Sequence, residues 1–269
     1  MSATTLKKYK LLIIISFLII TLLILLSFYK YALTDETIYS FSHPSLHHWF
    51  GTDIIGGDIF LNSINAVFVA LITLTIVVPL VYVGGLIIGC VISYFENAKL
   101  REFFLNLVHY WVTLPILLIA LFLLILVGAG QSNVISIIIF VLIPSQALYS
   151  YNQIEEAKKQ DFVIAKRSYG FSKRYIFLHH LLPYTRNSFN TYTLSRMPEI
   201  MMMDLAFNFL GLGTQPPHSS FGRMLFDGLS FMFSAWWIWI FPVILVILLF
   251  IIANWVITSI IIQGLIKIE

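Results

Sequence analysis

Arg196, Glu199 and Asp204 fall inside a largely apolar run of this 269-residue chain. A charge held at mid-membrane against lipid costs about 3 kcal/mol. Such side chains therefore face protein or water. Arg196 and Glu199 are three apart and can pair along one helix face. One reading is that the three residues line a path for a polar solute or brace a subunit interface. The other is a structural ion pair, which explains Arg196 and Glu199 at once and is preferred for them. Pro198 between them loosens the helix. Met201, Met202 and Met203 have no metal-ligand spacing and read as packing.

A second cluster is basic. In DFVIAKRSYGFSKRYIFLHHLLP (161–183), Lys166, Arg167, Lys173 and Arg174 surround Gly170. The stretch reads as two short helices. The first spans about 155–169, with Phe162, Ala165 and Tyr169 on one face. Gly170 ends it in a left-handed conformation. Ser172 caps the second, which Pro183 is expected to stop. This hairpin (155–183) either lies on anionic lipid or docks a protein partner.

Other chemistries find less support. His43 and His47 have the spacing of a metal pair on a helix, but Pro44 pushes His43 out of helical geometry. They are read, with His48, as surface histidines beside Trp49. Asp53 and Asp58 lie in the glycine-rich turn GTDIIGGD (51–58), whose spacing is not that of a calcium loop. Gly211 and Gly213 in GLG follow an apolar run with no lysine after them, so they form no phosphate loop. No G-x-x-x-x-G-K-[ST] segment and no nucleophile–base set occurs. No enzyme activity, cofactor, metal site or nucleic-acid partner is expected.

The elements that hold these residues are membrane helices. The chain is 59% hydrophobic and 11% charged, against about 25% charged in soluble domains. Runs at 11–28, 64–95, 103–128, 133–149 and 238–262 are apolar and long. A bilayer core takes about 20 such residues. A weaker sixth run, 188–210, carries the three charges. The expected architecture is an all-α integral membrane protein with six transmembrane helices. The first is read as an uncleaved helix behind Lys7, Lys8 and Lys10, since it is longer than a signal-peptide core. With both ends cytoplasmic, inside segments hold nearly all the lysine and arginine, and outside segments hold only Lys30 and Arg223. That is the positive-inside arrangement. Two parts are expected: 1–63, a first helix and outer loop, and 64–269, the membrane core with the cytoplasmic hairpin. Cys90 sits in a membrane run and forms no disulfide framework.

Three motifs carry a resemblance. Ala165, Gly170, Leu182 and Pro183 give A-x4-G-(x11)-L-P, similar to the "EAA" signature of ATP-binding-cassette (ABC) importer permeases. Ile164 stands at its glutamate position and Lys166 at its second alanine. Gly51, Thr52, Asp53, Gly56 and Asp58 resemble H-x-x-G-T-D-x-x-G-R-D of the peptide/nickel branch, with Gly57 in place of arginine. FLGLGTQPPHSSFGRML (209–225) resembles F-L-G-L-G-x-x-P-P-x-x-S-W-G-x-M-L, including Gly211, Gly213, Pro216 and Pro217. Phe221 replaces tryptophan, and upstream Asp204 replaces glutamate. The resemblance covers about residues 47–225.

It implies a type I ABC importer permease fold and a C-type subunit, as in dipeptide, oligopeptide and nickel importers of the bacterial plasma membrane. The 161–183 segment, with Ala165, Lys166, Arg167, Gly170, Phe171, Ser172, Leu182 and Pro183, would be the coupling region seated in an ATPase groove. Partners would be a second permease subunit, two cytoplasmic ATPase subunits and an extracytoplasmic binding protein. The cargo would be short peptides, nickel or a metal chelate. A secondary transporter or channel subunit is the alternative, but it calls for polar residues on several helices or two matching halves.

Overall fold

The computed structural model describes residues 40–216 and 218–266. The expected first helix, the lysines around it, Lys267 and Pro217 lie outside the described residues. The described residues form ten α-helices, one π turn and no named strand. They are α1 (Ile59–Tyr94), α2 (Ala98–Thr113), α3 (Ile116–Val127), α4 (Gln131–Lys158), α5 (Asp161–Ser168), α6 (Lys173–Ile176), α7 (Leu182–Ser195), α8 (Met197–Phe209), α9 (Phe221–Leu229) and α10 (Trp237–Ile266).

The central pair is α1 against α4. Small residues let the two backbones close in, as membrane helices require without a hydrophobic drive between them. A Cβ on Gly89 would sit 2.7 Å from the Ala147 carbonyl, and one on Gly85 would overlap the Gln146 side chain. Around this contact Val77, Val81, Leu124, Ile138, Leu142, Ile200 and Phe207 form the main core. Many residues facing outward on α1, α2, α3 and α10 remain exposed and apolar, including Ile87, Leu118, Phe122 and Ile251. That is the surface a bilayer covers.

Three helices, α1, α4 and α10, are long and apolar enough to cross a membrane. The expected single span 103–128 is instead two helices, α2 and α3, bent by 89°. The reason is Leu114-Pro115. Leu114 takes an extended conformation (ψ 147°), as a residue before proline tends to. Counted as one broken span, the pair makes a fourth crossing. The expected span 188–210 also breaks, at Arg196, where α7 ends and α8 begins with Pro198 in its first turn.

Two further expectations at the hairpin change. Its first helix does not begin near 155: α4 runs on to Lys158, and α5 starts at Asp161. Nor does Pro183 stop the second helix. A π turn, Phe177–Leu181, follows α6 and leads straight into α7, with Pro183 in that helix's first turn. Proline lacks an N–H but is tolerated in a first turn. The wider π turn, closed by the Leu182 N–H on the Phe177 carbonyl, carries the chain through without a stop.

Candidate functional site: a basic hairpin and an outer brace

The basic hairpin has a small core of its own. Val163 on α5, Ile176 on α6, Leu181 and Ala157 of α4 are all buried together, with Phe162 and Phe177 against them. Gly170 has φ +83°, a conformation that glycine adopts without strain. Its N–H reaches the Arg167 carbonyl at 3.0 Å, and the Phe171 N–H reaches Lys166 at 3.3 Å. Ser172 Oγ accepts the Tyr175 N–H at 3.3 Å and caps α6. The turn is thus fixed from within, and no neighbour crowds Gly170.

What the hairpin shows to solvent is mixed. Ala165, Arg167, Gly170, Phe171, Ser172 and Pro183 are exposed, while Lys166 and Leu182 are half-buried. Tyr169 is 82% exposed and Ile164 55%, with Tyr175 and Leu178 also open. Phe171 stacks on Tyr175, and Lys166 lies over the Phe171 ring. Aromatic and aliphatic side chains set among arginine and lysine are the composition of a protein interface core. The hairpin is tied to the bundle at its root. Lys158 Nζ donates to Glu155 and to the Ser93 carbonyl, both at 2.7 Å, and Ser93 Oγ donates to Glu155 at 2.8 Å. These bonds join α4 to α1 just before the hairpin, whose own core includes Ala157 of α4.

At the other end, the GTDIIGGD segment is a brace. Gly51 and Gly56 have positive φ, and Thr52 bridges to Asp58 across the turn. Thr52 is fully buried; its Oγ1 accepts the Ser42 N–H at 2.8 Å and its carbonyl accepts Trp237 Nε1 at 3.3 Å. A Cβ on Gly51 would sit 2.6 Å from the Trp237 ring. Asp53 accepts the Gly57 N–H at 2.7 Å and the Ile55 N–H at 3.0 Å. Burial raises its carboxyl above the ordinary value, and those two N–H groups pull the other way. Asp58 caps α1, accepting from Phe60 and Leu61, and its second oxygen meets His48 Nδ1 at 2.9 Å. His48 is therefore part of the brace, and His43 packs against the Trp237 ring. Among the described residues no histidine or acid group has the clustering of a metal site.

A buried polar network lies beside this brace. Asp204 is 7% exposed. Gln131 Nε2 donates to Asp204 Oδ1 at 2.7 Å and to Thr73 Oγ1 at 2.8 Å. Asn208 Nδ2 donates to Gln131 Oε1 and to the Asp204 carbonyl. Asn208 Oδ1 accepts the Thr214 N–H and the Ser220 hydroxyl, at 2.7 and 2.8 Å. The GLG turn closes over it: Gly211 has φ +76°, and Gly213 lies so close to Asn208 that a Cβ would overlap it. Pro216 is exposed just beyond. Within this chain Asp204 is thus enclosed by neutral amides and hydroxyls. Ser220 belongs to the 209–225 motif, whereas Thr73, Gln131, Asn208 and Thr214 were not singled out in the sequence. Their only local sign is a polar residue at the end of an apolar run.

Arg196 and Glu199 pair at 2.8 Å. Arg196 also donates to the Tyr192 hydroxyl at 2.7 Å and lies over that ring. The structure brings these two together but not to Asp204, which belongs to the outer network.

This chain is similar to known proteins. The profile of the family "Binding-protein-dependent transport system inner membrane component" matches residues 82–261. A dipeptide transport system permease protein of Bacillus subtilis is 27% identical over 79% of this chain and 65% of its own length. The chain thus spans just under two thirds of that relative. A glutathione transport system permease protein of Shigella dysenteriae is 31% identical over 76% of the chain and 67% of its own. A solved inward-facing structure of a methionine ABC transporter, MetNI, has 15% identity and a TM-score of 0.62, covering 76% of this chain and 96% of that one. At that identity the likeness concerns the fold, which is that of an ABC importer permease. The profile, covering most of the chain, places this protein in the family of inner-membrane components of binding-protein-dependent transport systems, which are transport permeases rather than enzymes.

Proposed function

We propose that the protein is the membrane-spanning subunit of an ABC importer for short peptides, and that the hairpin at 161–183 transmits the work of a separate ATPase. The observation that carries this is the hairpin itself. It is held by its own core against Ala157 of α4, beside the bonds that join α4 to α1, and exposes apolar side chains that nothing among the described residues covers. Its end of the bundle carries Lys99, Arg101, Lys158, Lys159, Lys166, Arg167, Lys173 and Arg174, which the positive-inside rule assigns to the cytoplasm. ATPases work on that side. Two such subunits, a second permease and a binding protein at the outer surface complete the assembly. Closure of the ATPases would shift the hairpin, and the helices would rock between outward- and inward-open states. The relatives' printed names, dipeptide and glutathione permeases, favour short peptides over nickel as cargo.

The test is co-purification of the ATPase subunit with the tagged chain. Ala165→Glu places a charge on the exposed face, and Gly170→Pro cannot adopt the φ of +83°. Each should lower ATPase capture about tenfold, the effect of one lost interface contact of moderate strength. Full capture by both variants would refute the coupling role.

A further inference from the structure

We propose that an anionic phospholipid binds at the root of the hairpin, its phosphate in a cationic cavity and its acyl chains in an adjoining apolar groove. The cavity, about 230 Å³, is lined by Arg101 of α2, Lys158 of α4, Arg167 of α5 and Lys173 of α6, with Glu96 as its one acid. Two of the cations are engaged: Lys158 by Glu155 and Lys173 by Glu96, each at 2.7 Å. Arg101 and Arg167 have no ion pair or side-chain hydrogen bond among the described residues. The cavity thus keeps two uncompensated guanidinium groups. That fork geometry matches a phosphate, as it does a carboxylate, and the adjoining apolar groove favours the phosphate of a lipid.

The groove gives the rest of the ligand. It holds about 450 Å³ between α1, α2 and Pro144 of α4, lined by Ile87, Val91, Phe104, Leu107 and Trp111. Phe95 borders both spaces and joins them. The order along α1 matters. Apolar positions 87–92 come first, and the charges gather just past Tyr94, where the helix ends. An amphiphile at the cytoplasmic interface has the same order, with tails in hydrocarbon and phosphate at the rim. Basic pockets between membrane helices on that side commonly take such headgroups. A free phosphate would use the cavity and leave the groove without purpose. The lipid would bridge α2 and α5, setting how firmly the hairpin is held against the α1–α2 corner. Arg167 also lies on the exposed hairpin face, whereas Arg101 lies on α2 away from it, so Arg101→Gln is the variant that separates the lipid site from the ATPase contact.

Native mass spectrometry of the intact importer complex, titrated with phosphatidylglycerol or phosphatidylcholine, tests it. Phosphatidylglycerol should stay bound to the wild type and phosphatidylcholine should not. Arg101→Gln should weaken retention about tenfold, as expected for one charge-assisted contact, and Arg101→Gln/Arg167→Gln should abolish it. Leu107→Trp, which fills the groove and keeps every cation, should also expel the lipid. Equal retention of both lipids, or retention unchanged in the double variant, overturns the proposal. So does complete displacement by soluble glycerol phosphate, which would mark a free-anion site. Absence of any bound lipid from the wild type would show the groove filled by protein and also overturn it.

Discussion

The two ends of the molecule use their glycine-centred motifs in opposite ways. At the outer end Gly51, Thr52, Asp58, Gly213 and Ser220 are buried. Their polar atoms are spent on one another, on helix caps and on Trp237. At the basic end Ala165, Arg167, Gly170, Phe171 and Ser172 face solvent. Gly213 is there because a side chain would strike Asn208, whereas Gly170 has open space and is there for its φ. The outer motifs hold the chain's own elements together. The hairpin motif holds a shape that leaves its side chains open, as the proposed coupling role requires. A motif's residues can thus look alike in sequence while one set is structural and the other is interfacial; burial separates them.

Substitutions at the outer end should therefore act on stability. The largest effect is expected for Gly222→Leu. A Cβ there already overlaps the Leu205 carbonyl and lies 2.5 Å from the Phe209 N, and backbone cannot yield as a flexible side chain does. Loss of about 3 kcal/mol is expected, at the upper end for overpacking, read as a fall in the thermal midpoint of the detergent-solubilised complex. Asn208→Ala comes next. It leaves the buried Thr214 N–H and Ser220 hydroxyl without their acceptor, at a cost of about 2 kcal/mol. Ala165→Glu at the exposed hairpin should move the same midpoint by only about 0.5 kcal/mol or less. If it proved as damaging as Asn208→Ala, the contrast between the two ends would be wrong.

The smallest effect concerns Glu96. The hydrogen bond and charge of Lys173 hold its carboxyl below the ordinary 4.5. A depressed carboxylate stabilises the folded state above its unfolded value and loses that contribution as pH falls through the lowered one. Both side chains are open to solvent, so the effect on stability is slight. Carbon-13 NMR of the labelled carboxyl should give a midpoint below 4.5, and Lys173→Gln should raise it. No change on that substitution would show that the pair does not hold in solution.

Much of the hairpin was legible in the sequence because its determinants are local. A glycine between two helix formers and a serine two residues later specify a turn and a cap wherever they occur. The Arg196–Glu199 pair was legible for the same reason, since three residues on a helix set the distance. Pro183 misled because a proline's effect depends on the turn before it, and a π turn is not written in residue type. Leu114-Pro115 marked a perturbation but not its size; membrane helices also carry proline without ending, as α1, α4 and α10 do here. The outer network was legible in its motif residues but not in its pairings. Gln131 meets Asp204 and Asn208 across 73 and 77 residues, and no spacing rule reaches that far. The carboxylate of Asp204 was recognised as needing a partner, but the partners are neutral amides and hydroxyls.

The proposed coupling requires the hairpin's exposed face to meet an ATPase subunit. Cys90 is the chain's single cysteine, so a Cys90→Ala background allows one reporter at a time. Cysteine at Tyr169 (82% exposed on the hairpin) and, as control, at Leu46 (93% exposed at the outer end) would be challenged with a short bifunctional thiol reagent in membranes containing the whole importer. A covalent adduct with the ATPase from position 169 and none from position 46 is the predicted result. Failure of position 169 to give that adduct, while the complex remains assembled, would contradict the claim.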